Sequence, residues 1–426
     1  MTAIGGRSST KAEIDALLSR LTRFLLLHSA EGAFELRDTV RAVGGSYGAE
    51  ADVLAIAEGA VLVTRHADGS QYTGTVNVSP ELARLDLVSE GKFLVSRVTS
   101  GELTAQTADR QLTALDARGQ RYPAWLRIIG VTLFAAGFAP SVQATWRELG
   151  SSVILGAVMG VIFVITERHA GLRTLLPIIG PIVVATVAFK LLHAHLAPGG
   201  PMTLMVPALF VLIPGDFLCA ATVELAVGQI TPGAVRLAQA AFTIVELAAG
   251  VVIAAELTGV GARSLFEAVV PPTLPYWLIL ISWIPFTFGL ALTFSARMRD
   301  VPWILALVYL AWGLQLGVTR AVGPTVGTFV AAAALAAAAG LLERSRHRPP
   351  RIVLIIGGFF ALTVGALALR GLTTIDGGHQ IQGLNDLRDS IMQTAALTLG
   401  LIVGAIPVLA FASRRRQPPL LRTGQS

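Results

Sequence analysis

Apolar residues are distributed unevenly along the chain of 426 residues, and the change falls near residue 121. Residues 1–121 carry frequent Asp, Glu, Arg and Lys, whereas long apolar runs dominate from Trp125 to Ala412. A membrane-spanning helix needs about 20 consecutive, mostly apolar residues. The sequence therefore predicts an N-terminal domain followed by an α-helical polytopic membrane domain.

Ten apolar segments are long enough to cross a bilayer, and they form two modules of five spans. The modules cover 122–258 and 274–413, a linker covers 259–273, and a basic tail covers 414–426. The predicted spans are 123–143, 150–167, 174–194, 203–228, 233–257, 274–295, 301–319, 322–342, 351–370 and 390–412.

The N-terminal domain is predicted to be a cytoplasmic α/β domain. Residues 51–78 alternate like two or three strands, with a turn at "ADGS". The first residues lack the apolar core of a secretory signal, so we expect this domain to stay in the cytoplasm. Between the predicted spans, arginine is concentrated in the segments on the same side of the membrane as the N-terminal domain. An even number of spans returns the C-terminus to that side. The expected location is the plasma (inner) membrane, with both termini cytoplasmic.

Composition and short motifs narrow the function. The hydrophobic share of 53% and the mean hydropathy of +0.66 are too high for an ordinary soluble protein. The net charge of +6 is explained by cytoplasmic arginine, so no nucleic acid is expected. The single cysteine, Cys219, gives neither a disulfide framework nor a cysteine metal site. The sequence has no P-loop and no HExxH motif, so we expect no enzyme activity, no cofactor and no metal.

The predicted fourth span is interrupted at its centre, where "MVPALFVLIPGDFLCAATVELAVG" runs from Met205 to Gly228. Pro214 removes a helical hydrogen bond and Gly215 loosens the backbone. Irregular backbone at membrane depth is tolerated only where it lines a cavity or is buried in protein. The sequence therefore predicts a broken helix at a site within the membrane.

A similar segment stands in the predicted ninth span. Pro207 aligns with Pro350, and Gly215 with Gly358, at a constant offset of 143 residues. The two segments are five spans apart, so they cross in opposite directions. Inverted repeats with interrupted helices in corresponding places are typical of secondary transporters. The prediction is two inverted five-helix halves, with Gly357 and Gly358 marking the second break and lining the cavity.

Three intramembrane carboxylates are candidates for substrate binding and proton coupling, because such groups are unfavourable in lipid and usually face a pathway. Asp216 directly follows the break, Glu224 lies two helical turns further on, and Glu246 is near the middle of the fifth span. Each also has a structural alternative: bonds to the freed backbone, contact with the interface, or a pair with Arg236. Possible accessory groups are Arg236, Thr222 and Gln393.

These segments resemble the threonine/serine exporter family, in the form that fuses both of its modules. The N-terminal "EGAFELRDTVRAVGGSYG" is similar to the family's N-terminal region, and "PGDFLCAATVELAVGQITPGAVRLAQA" to its signature across the fourth and fifth spans. "LLERSRHRPPRIVLIIGGFF" resembles the second module, although Gly357-Gly358 replaces the usual Pro-Gly.

The resemblance implies export of threonine and serine across the plasma membrane, driven by the proton-motive force. It leaves two alternative functions open: a dicarboxylate (succinate) exporter of the same family, and a membrane-anchored enzyme or sensor acting through the N-terminal domain. Assembly into a homo-oligomer also stays open. A zwitterion needs an anionic contact for its ammonium, which Asp216 could supply. Binding of a dicarboxylate would instead require a cationic side chain near the middle of the membrane. The expected partners are therefore the amino acid, protons and the lipid bilayer.

Overall fold

The computed structural model describes most of the chain. The described residues are 9–28, 32–56, 59–78, 84–143, 145–194, 200–226, 228–260, 273–345, 348–362, 369 and 380–416.

The N-terminal part combines four helices with a small sheet. Its strands pair as an antiparallel meander in the order β1-β2-β3, with Val53 opposite Leu62 and Leu62 opposite Gly74. Side chains alternate between the two faces of a strand, so Val53 and Leu62 point into the same core as the apolar faces of the helices. The elements are α1 (Lys11–His28), α2 (Ala33–Ser46), β1 (Glu50–Ile56), β2 (Gly59–Arg65), β3 (Gln71–Asn77), α3 (Leu85–Thr99) and α4 (Ala105–Asp116).

The rest of the described chain is helical. Its helices are α5 (Ala124–Phe138), α6 (Trp146–Glu167), α7 (Ala170–Arg173), α8 (Leu176–His193), α9 (Pro201–Leu209), α10 (Gly215–Ala226), α11 (Ile230–Leu257), α12 (Tyr276–Thr293), α13 (Val301–Ala321), α14 (Pro324–Glu343), α15 (Arg351–Ala361) and α16 (Gln380–Arg416).

Among the described residues, 7 helices are long and apolar enough to cross a membrane. They correspond to α5, α6, α8, α11, α12, α13 and α14, counted with their flanking 3₁₀ turns. Two further apolar helices, Pro201–Leu212 and Arg351–Ala361, are shorter. The chain is therefore a multi-pass membrane protein, and the count of ten spans stays a prediction.

Helices α5 and α12 cross closely and run antiparallel. The rings of Phe134 and Phe286 stack with centroids 4.7 Å apart. Gly137 abuts the backbone of Phe286, and Gly289 abuts the backbone of Phe134. As residue numbers rise along α5, the residue numbers of the contacts on α12 fall, so the two helices are antiparallel. Small residues at such crossings let membrane helices approach closely.

The N-terminal part packs onto the ends of the membrane helices. The Leu85 N–H donates to the Phe294 carbonyl at 3.0 Å, and the Tyr122 hydroxyl donates to the Ala296 carbonyl at 2.7 Å. These bonds fix α3 and the start of α5 against the segment that joins α12 to α13.

Candidate functional site

The predicted fourth span is interrupted in the structure. Helix α9 continues as a 3₁₀ turn over Phe210–Leu212, and Ile213 is extended with φ −64° and ψ 122°. The Gly215 N–H donates to the Ile213 carbonyl at 2.7 Å, and the Leu218 N–H donates to the Pro214 carbonyl at 3.0 Å, which starts α10. The helix ends here because Pro214 has no N–H with which to continue the ladder.

The second half is arranged differently from the prediction. Helix α15 runs through Gly357 and Gly358 to Ala361, so the predicted break at this glycine pair is wrong. Glycine keeps its N–H and can stay helical, whereas proline cannot. Both glycines instead allow close packing: a Cβ on Gly357 would lie 2.6 Å from Ile304, and one on Gly358 would lie 2.7 Å from Leu335.

The two short helices meet at their C-terminal ends. The rings of Phe210 and Phe360 are 5.4 Å apart, and a Cβ on Gly215 would lie 3.0 Å from the Phe359 ring. Helix α15 begins beside the N-terminal part, where Arg351 Nη2 is 3.0 Å from Glu35 Oε1. Phe210, Phe359 and Phe360 place aromatic rings at this meeting point.

These helix ends carry complementary partial charges. The C-terminus of a helix is partly negative and its N-terminus partly positive, because the terminal carbonyls and N–H groups are unpaired. The ends of the Pro201–Leu212 segment and of α15 therefore offer carbonyl oxygens, and the start of α10 offers N–H groups. A small molecule that carries both charges matches this arrangement.

Glu224 and Arg236 form an ion pair at the junction of α10 and α11. The distance from Arg236 Nη1 to Glu224 Oε1 is 2.7 Å, and Glu224 is only 1% exposed. Gly32, which precedes α2 with φ +92°, packs on the Glu224 side chain: a Cβ there would lie 3.2 Å from its Cγ. The pair therefore lies at the contact with the N-terminal part.

The other predicted residues are not gathered around this pair. Glu246 is half-buried ten residues beyond Arg236 on α11, about 15 Å along the helix axis. Within the described part of the chain, no ion pair involves Glu246. Gln393 is half-buried on α16. Asp216 and Thr222 belong to α10, and their side chains lie outside the described residues.

A polar contact at the end of α15 was not predicted from the sequence. Gln315 Nε2 on α13 donates to the Leu362 carbonyl at 3.3 Å and to Thr328 Oγ1 at 3.2 Å. This contact satisfies one of the carbonyls freed where α15 ends. A glutamine in the apolar run "YLAWGLQLGV" was the signal available in the sequence.

A second missed group of charges lies where the N-terminal part meets α14 and α15. Lys92 Nζ is 2.9 Å from Glu343 Oε1, which also accepts from the Arg351 N–H at 3.0 Å. Burial raises the pKa of Glu35, and the positive charge of Arg351 opposes that rise. The group connects α2 and α3 to the start of one short helix.

Long apolar helices, with two short ones meeting inside the bundle, are features of a multi-pass membrane transporter. The family model described as "Putative threonine/serine exporter" matches residues 17–258, more than half of the chain. The chain belongs to this family of transporters.

Two relatives carry the names of transport proteins. One, a "Probable threonine/serine exporter" from Mycobacterium tuberculosis, is 24% identical over an alignment 425 residues long, and this alignment covers 94% of this chain and 79% of the relative. The other, a "Probable succinate transporter subunit YjjP" from Klebsiella aerogenes, is 23% identical over 251 residues, which cover 59% of this chain and 96% of the relative. No solved structure matches the chain.

Proposed function

We propose that the chain exports threonine and serine across the plasma membrane in exchange for protons, through a site where the two short helices meet. The meeting of Pro201–Leu212 with α15 carries this proposal. A pair of short apolar segments in corresponding positions of two halves is the strongest pointer to a transporter's binding site.

The charges at that meeting point suit a zwitterion. The carbonyl ends of the two short helices would face the substrate ammonium, and the N–H groups at the start of α10 would face its carboxylate. Asp216, the second residue of α10, is the proposed anionic contact for the ammonium. A threonine or serine hydroxyl adds one further hydrogen bond.

A dicarboxylate fits less well, although one relative is named a succinate transporter subunit. Three arginines in or beside the described spans are largely buried, and each is paired with a carboxylate. The pairs are Arg127 with Glu167, Arg236 with Glu224 and Arg297 with Asp300. The charges of Arg127 and Arg236, which lie in membrane helices, are neutralised in this way, so these two arginines are poor partners for a second substrate carboxylate.

Proton coupling is assigned to carboxylates within the membrane helices. Groups of this kind usually line proton pathways. Asp216 lies at the break, Glu224 lies on α10 where it contacts the N-terminal part, and Glu246 lies near the middle of α11. We propose that Asp216 couples protonation to substrate release and that Glu246 relays the proton.

The helix packing supports two inverted halves. Helices α5 and α12, the first of each half, are antiparallel and in contact. The same pairs of neighbours recur: α6 with α9 and α8 with α11 in the first half, α13 with α15 and α14 with α16 in the second. With arginine on the inner side, this arrangement gives cytoplasmic termini.

The N-terminal part contacts α10, which follows the break in the fourth span, and α15. Gly32 packs on Glu224 at the far end of α10, and Glu35 pairs with Arg351 at the start of α15. We propose that it acts as a cytoplasmic gate, because any movement of α10 or α15 relative to the bundle changes these contacts.

The test is efflux from proteoliposomes under an imposed pH gradient. Labelled threonine, serine and succinate are loaded in turn, and Asp216→Asn and Glu246→Gln are compared with the wild type. Glu256→Gln is the matched control, since Glu256 is an exposed carboxylate near the end of α11. We expect gradient-driven efflux of threonine and serine that Asp216→Asn abolishes. Efflux of succinate alone would favour the dicarboxylate function, and full activity of Asp216→Asn would remove that residue from the mechanism.

A further inference from the structure

A cleft of about 610 Å³ lies between the N-terminal part and the membrane helices. Its walls are α3, the end of α4 and the segment that joins α12 to α13. The charged lining consists of five guanidinium groups and one carboxylate. These residues are Arg97, Arg118, Arg121, Arg297, Arg299 and Glu90.

One of these arginines is buried with an unused donor. Arg297 is 4% exposed, and its Nε and Nη2 atoms donate to Asp300 at 2.8 and 3.1 Å. Its Nη1 atom is buried and has no hydrogen-bond partner in the protein. The guanidinium carbon lies 5.0 Å from the centre of the Phe93 ring, which holds the group in place. A buried donor without a protein acceptor is unfavourable, so this atom is available to an acceptor bound in the cleft.

The neighbouring carboxylates leave the cleft positively charged. Glu90 pairs with Arg118, Glu102 lies 3.3 Å from Arg97, and Asp300 lies behind the guanidinium of Arg297. Five arginines against three carboxylates leave an excess of two positive charges. Guanidinium groups bind phosphate oxygens in a bidentate manner, which an ammonium cannot do.

The cleft sits at the ends of two membrane helices. Arg121 lies three residues before Ala124, the first residue of α5, and Arg299 lies two residues before α13. Trp125 is 63% exposed at the start of α5, and tryptophan prefers the headgroup level of a bilayer. Basic pockets at this level bind anionic lipid headgroups.

We infer that the cleft binds a phosphate-bearing anion, with Arg297 Nη1 as the buried donor and Arg121 and Arg299 as the exposed ones. The position at the helix ends favours the headgroup of an anionic phospholipid. A soluble polyphosphate has the same chemistry and is the alternative source.

The test measures binding to the full chain in an uncharged detergent. The probes are short-chain phosphatidylglycerol, with short-chain phosphatidylcholine as its reference, and inorganic pyrophosphate. The variant is Arg121→Gln/Arg299→Gln, and the matched control is Arg110→Gln, an exposed arginine of α4 that does not line the cleft. We expect the double variant to raise the Kd about tenfold or more, because two charge-assisted contacts are lost. The control should leave the Kd unchanged.

Each outcome decides the inference. Phosphatidylglycerol binding that weakens in the double variant supports the site and identifies a lipid source, and pyrophosphate binding with the same response supports it with a soluble source. Binding of neither probe above the phosphatidylcholine reference, or an equal loss with Arg110→Gln, overturns it. If the double variant does not keep the wild-type unfolding midpoint, Arg299→Gln alone replaces it, since that side chain is 64% exposed. Its expected effect is roughly a threefold increase in Kd.

Discussion

Replacing Gly289 with alanine should force helices α5 and α12 apart. A Cβ at this position would lie 2.6 Å from the Gly130 carbonyl oxygen and 2.7 Å from the Phe134 Cα. Both obstacles are backbone atoms, so no side-chain rotation relieves the contact. The helices themselves have to move.

The size of the effect follows from these distances. Ordinary contact begins at 3.4 Å, so the Gly130 oxygen alone requires a separation of at least 0.8 Å (3.4 minus 2.6 Å), and the Phe134 backbone nitrogen lies closer still. Overpacking of this kind costs about 1–3 kcal/mol. The better helix propensity of alanine returns up to about 1 kcal/mol. We therefore expect Gly289→Ala to lower the free energy of unfolding by about 1–2 kcal/mol.

The opposite side of the same crossing supplies an internal check. A Cβ on Gly137 would lie 2.6 Å from the Phe286 Cα, so Gly137→Ala should have a similar effect. Once one substitution has separated the helices, the second meets less resistance. The double variant should therefore lose less stability than the sum of the two single variants, with a coupling energy of roughly 0.5–3 kcal/mol.

The assay is reversible unfolding in mixed detergent micelles, followed by tryptophan fluorescence. The matched control is Gly313→Ala on α13, where an added Cβ meets nothing within 4 Å. If Gly289→Ala were as stable as that control, or if the two effects were additive, the close antiparallel crossing would be refuted.

Three further predictions concern other contacts. Arg236→Gln should lower the free energy of unfolding by about 3–5 kcal/mol, because it removes the cation from a buried pair, and the double variant with Glu224→Gln should lose less. Glu35→Gln should flatten the pH dependence of the unfolding midpoint: the raised pKa of Glu35 means that the folded state binds more protons, so wild-type stability should fall as pH rises above 4.5, the ordinary value for this group. Gln315→Leu should cost about 1–3 kcal/mol in the same unfolding assay, because the Leu362 carbonyl loses a donor, and an unchanged value would show that this bond is not formed.

Hydropathy predicted the long helices well because a helix that crosses the lipid consists of one continuous apolar run, which the sequence shows directly. The prediction of 233–257 compares with Ile230–Leu257 in the structure, and 150–167 with Trp146–Glu167. Helix α6 begins earlier than predicted because Thr145 and Glu148 form a capping box. Polar caps extend a helix beyond the apolar run that predicts it.

The candidate site was only partly predictable. The break at Pro214 was predictable because a proline lacks the N–H of the helical hydrogen bond wherever it occurs. The break predicted at Gly357 and Gly358 was wrong because glycine is compatible with both a helix and a break. The pair of Glu35 with Arg351 joins residues 316 positions apart, and no local pattern relates them. Contacts of this kind depend on tertiary packing.

Substrate counterflow is the most direct test of a zwitterion site at the meeting of the two short helices. Proteoliposomes that hold the pure protein and unlabelled threonine are diluted into labelled threonine without a pH gradient. The account predicts uptake of the label that excess serine inhibits, that excess succinate does not, and that Asp216→Asn reduces. Uptake that succinate suppresses as strongly as serine, or that Asp216→Asn leaves unchanged, would contradict it.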